Sequence, residues 1–170
     1  MLLSDAIRKP SRPADRQEPR AQTVYTGERP LVLQCGEGKL DGMHPVMDLY
    51  TGSMWTTARK VVREDLGGRV STPIFVMSAR YGVVPSSQVV ASYDAVLKDR
   101  PRKAGEVAPQ DLLPLLRQQL PSVGREVDFL GSALYAETLK RAGYVVNNLD
   151  PRGIGYKLGT LKAYLLDKNR

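Results

Sequence analysis

From residue 30 onward, short unbroken apolar runs alternate with stretches in which apolar residues recur every three or four positions. The runs are centred on Leu31-Val32-Leu33 in "PLVLQC", on "PIFVMS" (residues 73–78), on "EVDFLGS" (126–132) and on "YVVNNL" (144–149). They are too short for helices and are punctuated by proline or glycine, which predicts four buried strands. The periodic stretches lie between and after them. "TGSMWTTARKVVRED" (51–65) carries Met54, Ala58, Val61 and Val62 at helical spacing, with Thr51 or Ser53 available as N-cap and Gly67-Gly68 as a stop. "APQDLLPLLRQQL" (108–120) predicts a helix entered through proline, and "SALYAETLKRAG" (132–143) one with Ser132 as N-cap and Gly143 just past its end. "DPRGIGYKLGTLKAYLLDK" (150–168) passes through a glycine-rich loop into a last helix, while "GEGKLDGMHP" (36–45) reads as a loop. Strand and helix alternate throughout, so the expected class is α/β, a sandwich whose mainly parallel sheet is covered by helices on both faces.

Residues 1–29 are rich in Arg, Pro, Gln and Glu without an apolar period and read as a flexible tail; residues 30–170 form a single α/β domain. No apolar run approaches the ~20 residues a bilayer span needs, and the first twenty lack the apolar centre of a secretory signal. A soluble, cytoplasmic protein without a membrane partner is expected. One cysteine and one histidine exclude a disulfide framework and a structural zinc site, so neither metal nor cofactor is expected. The formal charge of +7 and pI near 9.6 suit a polyanionic partner, DNA or a nucleotide, and equally suit a protein whose cations only keep it dispersed.

Candidate chemistry gathers after the predicted strands, where open α/β sheets keep their ligand crevices. "QCGEGKLDG" (34–42) follows the first strand; its glycines let backbone N–H groups approach a ligand and Lys39 adds a cation suited to phosphate, although the spacing is not that of a Walker A loop. Cys35 is a nucleophile if its thiolate is stabilised, and otherwise a small buried side chain. His44 has no sequence-local partner. Asp48 and Tyr50, in "MDLYTGS", stand at the lip of the first long helix, either binding an anionic group with its free N–H groups or serving helix and core. In "IFVMSARYGVVPSSQVVASYD" (74–94) polar residues crowd the end of a core strand. Arg80 suits a phosphate, Tyr81 or Tyr93 a stacked base, and Asp94 proton transfer or water activation, with Ser78 beside them; the alternative is an Arg80–Asp94 ion pair pinning the loop. Gly153 and Gly155, flanked by Arg152 and Lys157, form a glycine turn before a helix, a phosphate cradle or a site of close helix–sheet packing.

Taken in order, Cys-x-x-x-Lys after the first strand, "DLY", "SARYG" with its following proline, "YD" and "GIG" before a helix resemble a bacterial and phage domain family related to the YaaA-like peroxide-stress proteins. The resemblance runs from Leu31 to about Leu166. It implies a three-layer α/β/α domain similar in outline to uracil-DNA glycosylases and the accessory domain of archaeosine synthases, with Cys35 and Lys39 matching a strand-end Cys and basic residue of the latter. The chain lacks the Pro and Ser/His pair that follow there, and the glycosylase "DPY" motif. The expected function is a nucleobase-directed enzyme acting on DNA, by N-glycosidic cleavage or base modification, in phage DNA modification or anti-phage defence. In that scheme Lys39, Arg80 and the Gly153–Gly155 loop anchor phosphate, Tyr81 or Tyr93 holds the base, and Asp94 or Asp48 activates water or another nucleophile. The competing expectations are a non-catalytic DNA-binding stress protein and a small-molecule nucleotide or nucleoside enzyme, such as a deoxyribosyl transferase or nucleosidase.

Overall fold

The computed structural model describes residues 29–169. A five-stranded sheet forms its centre: β1 (Leu31–Gln34), β3 (Ile74–Ser78), β4 (Gly82–Pro85), β8 (Glu126–Leu130) and β9 (Val145–Asn148), in the spatial order β4-β3-β1-β8-β9. β1 pairs in parallel with β3 on one side and β8 on the other, β8 pairs in parallel with β9, and only β4 runs antiparallel. Two short ribbons, β2 (Met43–Pro45) with β5 (Val89–Ala91) and β6 (Val96–Leu97) with β7 (Glu106–Val107), lie outside the sheet.

The apolar runs are continuous because both faces of the sheet are covered. Successive strand residues point to opposite faces. Leu31, Leu33, Ile74, Val76 and Leu130 share one core with α1 (Val46–Leu49), α2 (Ser53–Lys60), its π-helical continuation (Val61–Asp65) and α5 (Ile154–Lys168). Val32, Phe75, Met77, Val127 and Phe129 face the other core, built with α3 (Pro109–Val123) and α4 (Ala133–Arg141). The result is the three-layer α/β/α sandwich, with a mainly parallel sheet, that strand and helix alternation predicts. No helix of the described residues is long and apolar enough to cross a membrane. The expected tail lies outside the described residues except for Arg29, whose guanidinium pairs with Glu126 at 3.2 Å.

Two expectations need correction. The stretch 36–45 is not all loop, since Met43–Pro45 forms β2 against β5. The segment after Ser78 turns back as β4 along the edge of the sheet, giving a fifth strand. Both pieces are three or four residues long, and their pairing partners are set by tertiary contact. Gly82 makes the β3–β4 reversal possible: its φ is +70°, and a Cβ there would lie 2.3 Å from the side-chain oxygen of Gln119. Gln119 is held by both its amide atoms, accepting from the Val83 N–H (2.8 Å) and donating to the Tyr81 carbonyl (2.9 Å), so it cannot retreat without breaking that clamp.

Gly68 also has positive φ, +78°, but a Cβ there would meet nothing within 4 Å. Gly68→Ala is therefore expected to cost only backbone strain, about 1–2 kcal/mol. Gly82→Ala adds loss of the Gln119 hydrogen bonds, a further ~1–3 kcal/mol. Urea unfolding midpoints of the two variants check this; equal midpoints would refute the clamp.

Candidate active site

The chain leaves β1 for β3 on one side and later returns to place β8 on the other, so the connections after β1 and β8 run apart at their carboxyl ends. Such a switch point opens a crevice in parallel sheets. A cavity of about 310 Å³ lies there. Gln34, Cys35 and Gly36 form one wall, Gly131 and Ser132 another, and the first turns of α2 and α5 close it. α2, α4 and α5 begin at Gly52, Ser132 and Gly153, and none has a side-chain cap. The leading N–H groups of a helix have no intrahelical acceptor, so three partial positive charges converge on one space.

Gly131 is required by the wall itself. A Cβ there would come within 2.5 Å of the Phe129 ring and 2.8 Å of the Gln34 Cβ. Gln34 in turn accepts the Ser132 N–H at 2.6 Å, while its backbone carbonyl accepts the Trp55 indole N–H at 3.0 Å, tying the start of α4 and the first turn of α2 to the end of β1. Lys157, in the first turn of α5, lines the cavity with only 8% of its surface exposed. Its ammonium donates to the Arg152 carbonyl, and among the described residues no carboxylate stands within ion-pair distance of it. A buried cation without a counter-charge is unfavourable unless an anion completes it. Cys35 lines the same cavity, and its sulfur lies 3.5 Å from the Tyr135 hydroxyl. That hydroxyl also accepts the Leu97 N–H (3.4 Å).

On the other flank of β1, Lys39, Tyr50, Ser78, Tyr81 and Tyr93 do come together, but around one another. The Ser78 hydroxyl accepts the N–H groups of Arg80 (3.0 Å) and Tyr81 (3.1 Å) and donates to Tyr93 (2.8 Å), whose hydroxyl is bonded to that of Tyr50 at 2.6 Å. The Lys39 ammonium sits 4.6 Å from the centre of the Tyr93 ring, and the Tyr81 hydroxyl donates to the Ala91 carbonyl at 2.9 Å. Burial drives the phenols of Tyr50, Tyr93 and Tyr135 above their ordinary range, with the nearby Cys35 sulfur adding to each. Tyr144, whose hydroxyl donates to the Leu116 carbonyl at 2.9 Å, is raised by burial alone.

The remaining candidates do not line the cavity. Asp48 pairs with Arg63 at 2.6 Å. Arg80 and Asp94 are both exposed and form no ion pair with each other. His44 is bonded to the Asp41 carbonyl at 2.6 Å. Gly153 starts α5 and Gly155 lies in its first turn, both exposed; Arg152 is bound through Nε and Nη2 to the two oxygens of Asp150, each at 2.9 Å. Those bonds and the Thr160 hydroxyl hold Asp150 well below the usual carboxylate range. Gly131, Ser132 and the Gln34 side chain carry no site signal of their own in the sequence, although "LGS" places a glycine just past a strand as "QCG" does. A larger cavity, about 580 Å³, opens near the amino ends of β1 and β3 around Asp128, Asn147 and Tyr164. Its carboxylate already accepts from Asn147 (3.0 Å) and Tyr164 (2.7 Å), so the carboxyl-end crevice is the better candidate.

Fold and crevice thus define an α/β/α sandwich with an electropositive, cysteine-bearing site at its switch point. Residues 31–163 match a family of unknown function, DUF6884, and the chain belongs to that family. Neither the curated proteins nor the solved structures gave a match.

The raised phenols carry a pH signature. Above about pH 10 the unfolded chain loses phenolic protons that the folded protein keeps, so the phenols' contribution to folding stability is constant below that pH and falls as pH rises through it. Denaturant midpoints between pH 8 and 11 measure this, and Tyr93→Phe is expected to flatten the alkaline fall. An unchanged slope in that variant would contradict the buried tyrosine network.

Proposed function

We propose that the protein is a nucleobase-directed enzyme acting on DNA, that a nucleotide phosphate completes Lys157 in the crevice, and that Cys35 is the nucleophile. The observation carrying this is the buried Lys157 ammonium, without a carboxylate partner, beside three uncapped helix starts. Phosphate is the common biological anion that matches several N–H donors and one cation at once. The net charge of +7 supports a polyanionic substrate, and the motif order resembling YaaA-like proteins, with the glycosylase-like outline it implies, points the same way.

Among the described residues no carboxylate lines the crevice, whereas a thiol does. That favours attack by the Cys35 sulfur on C1′ of the deoxyribose over hydrolysis by carboxylate-activated water: the C1′–N bond breaks as the S–C1′ bond forms, the thiol proton leaves with the departing base, and an incoming base then displaces the sulfur. The Tyr135 hydroxyl, 3.5 Å from the sulfur, is placed to hydrogen-bond it. Asp48 and Asp94, placed elsewhere, have no part in this scheme.

Incubation with normal and base-modified DNA, followed by mass analysis of released bases and remaining nucleosides, tests the activity. Cys35→Ser is expected to abolish product. Lys157→Gln is expected to weaken nucleotide protection of Cys35 against iodoacetamide roughly ten- to a hundredfold, the worth of a charge-assisted hydrogen bond. Asp48→Asn and Asp94→Asn retain turnover. Full activity in Cys35→Ser, or none with any DNA, overturns the proposal.

A further inference from the structure

Between β6 and β7 the chain runs Lys98-Asp99-Arg100-Pro101-Arg102-Lys103-Ala104-Gly105, and all eight residues are exposed. The loop is nevertheless pinned along its backbone. The Val96 N–H donates to the Gly105 carbonyl and the Lys98 N–H to the Val107 carbonyl, each at 2.9 Å. One carboxylate oxygen of Glu106 accepts the N–H groups of both Arg102 (2.7 Å) and Lys103 (3.2 Å), which holds that carboxyl below its usual range. Gly105, at φ +85°, closes the turn where a Cβ would lie 2.8 Å from the Asp94 carbonyl oxygen.

Glu106 thus serves the backbone and leaves the neighbouring cationic side chains to solvent. Among the described residues Lys98, Arg100, Arg102 and Lys103 form no ion pair and no side-chain hydrogen bond. Cations elsewhere are engaged: Arg63 pairs with Asp48, Lys140 with Glu137, and Arg59 is bound to the Met47 and Tyr50 carbonyls. Four free cations between positions 98 and 103 lie within ~18 Å of extended chain, the length of about five phosphates along one strand of a DNA duplex.

The root of the loop lies at the cysteine. Leu97, 2% exposed, packs with Tyr135 in the core beneath α3 and α4. Its N–H donates to the Tyr135 hydroxyl at 3.4 Å, and that hydroxyl lies 3.5 Å from the Cys35 sulfur. Lys98 is the next residue, so the cationic stretch begins at the carboxyl edge of β1.

We infer that the loop from Lys98 to Gly105 is an arm that holds the DNA backbone, its four cations contacting phosphates of the strand attacked at Cys35 and adding affinity without base preference. The inference rests on the DNA reading above and adds to it the surface that grips the polymer.

The test measures binding of a fluorescein-labelled single-stranded 12-mer by anisotropy across a series of NaCl concentrations, and protection of Cys35 from iodoacetamide by deoxyadenosine monophosphate. A variant carrying Lys98→Gln, Arg100→Gln, Arg102→Gln and Lys103→Gln is compared with one carrying Lys60→Gln, Arg69→Gln, Arg125→Gln and Lys162→Gln, which loses the same charge from exposed positions elsewhere. Because the loop is pinned through backbone N–H groups, its variant should keep the wild-type urea midpoint. The slope of log K against log salt is expected to fall by about 3 in the loop variant, as for release from four phosphates of a single strand, and by less than about 1 in the other. Mononucleotide protection should be unchanged in both. An unchanged slope in the loop variant, an equal fall in both variants, or no binding of the 12-mer by wild type refutes the arm, while the crevice reading stands on mononucleotide protection. If the mononucleotide fails to protect Cys35 in wild type, the crevice reading fails separately, since the salt slope reads the arm alone.

Discussion

The position of β1 between β3 and β8 governs everything at the carboxyl edge of this sheet. The chain cannot serve both neighbours from the same side, so the segments after β1 and β8 part, and the space between them is bounded by helix starts. Gln34 turns that topological gap into a built site: its side chain receives the start of α4, its carbonyl receives Trp55 of α2, and its Cβ abuts Gly131. Cys35 is the next residue, so the sulfur's placement follows from the same contacts.

Two polar systems flank the end of β1, and they differ in how completely they are satisfied. On one flank the hydroxyls of Ser78, Tyr93 and Tyr50 form a bonded series fed by two backbone N–H groups, with Lys39 resting on an aromatic face. These bonds tie the loop that follows β3 to the end of β1. On the other flank Lys157 has a single carbonyl and the helix starts have no caps. Under the proposed function the unmet donors of Lys157 and of the helix starts mark the ligand side.

The sequence by itself determined the layers. Continuous apolar runs such as "PIFVMS" have no polar face to show to water, so the strands had to be covered on both sides, and the helical spacing of "SMWTTARKVV" and "SALYAETLKRAG" supplied the covers. It also marked Cys35, Lys157 and the glycine turn before α5, because strand ends and glycine-led helix starts leave local signatures. It could not say which strand lies beside β1. Read along the chain, Ser78, Arg80, Tyr81, Tyr93 and Asp94 form the densest polar cluster, at the end of a core strand. Only tertiary structure shows which side chains meet, since strand order is fixed by how both cores pack at once. That order set Gly131 and Ser132 opposite Cys35, across some 96 residues of sequence, and turned the tyrosines toward each other. Periodicity is a property of neighbouring residues and survives in the sequence; the partner across a crevice is a property of the whole chain's closure, and no local pattern encodes it.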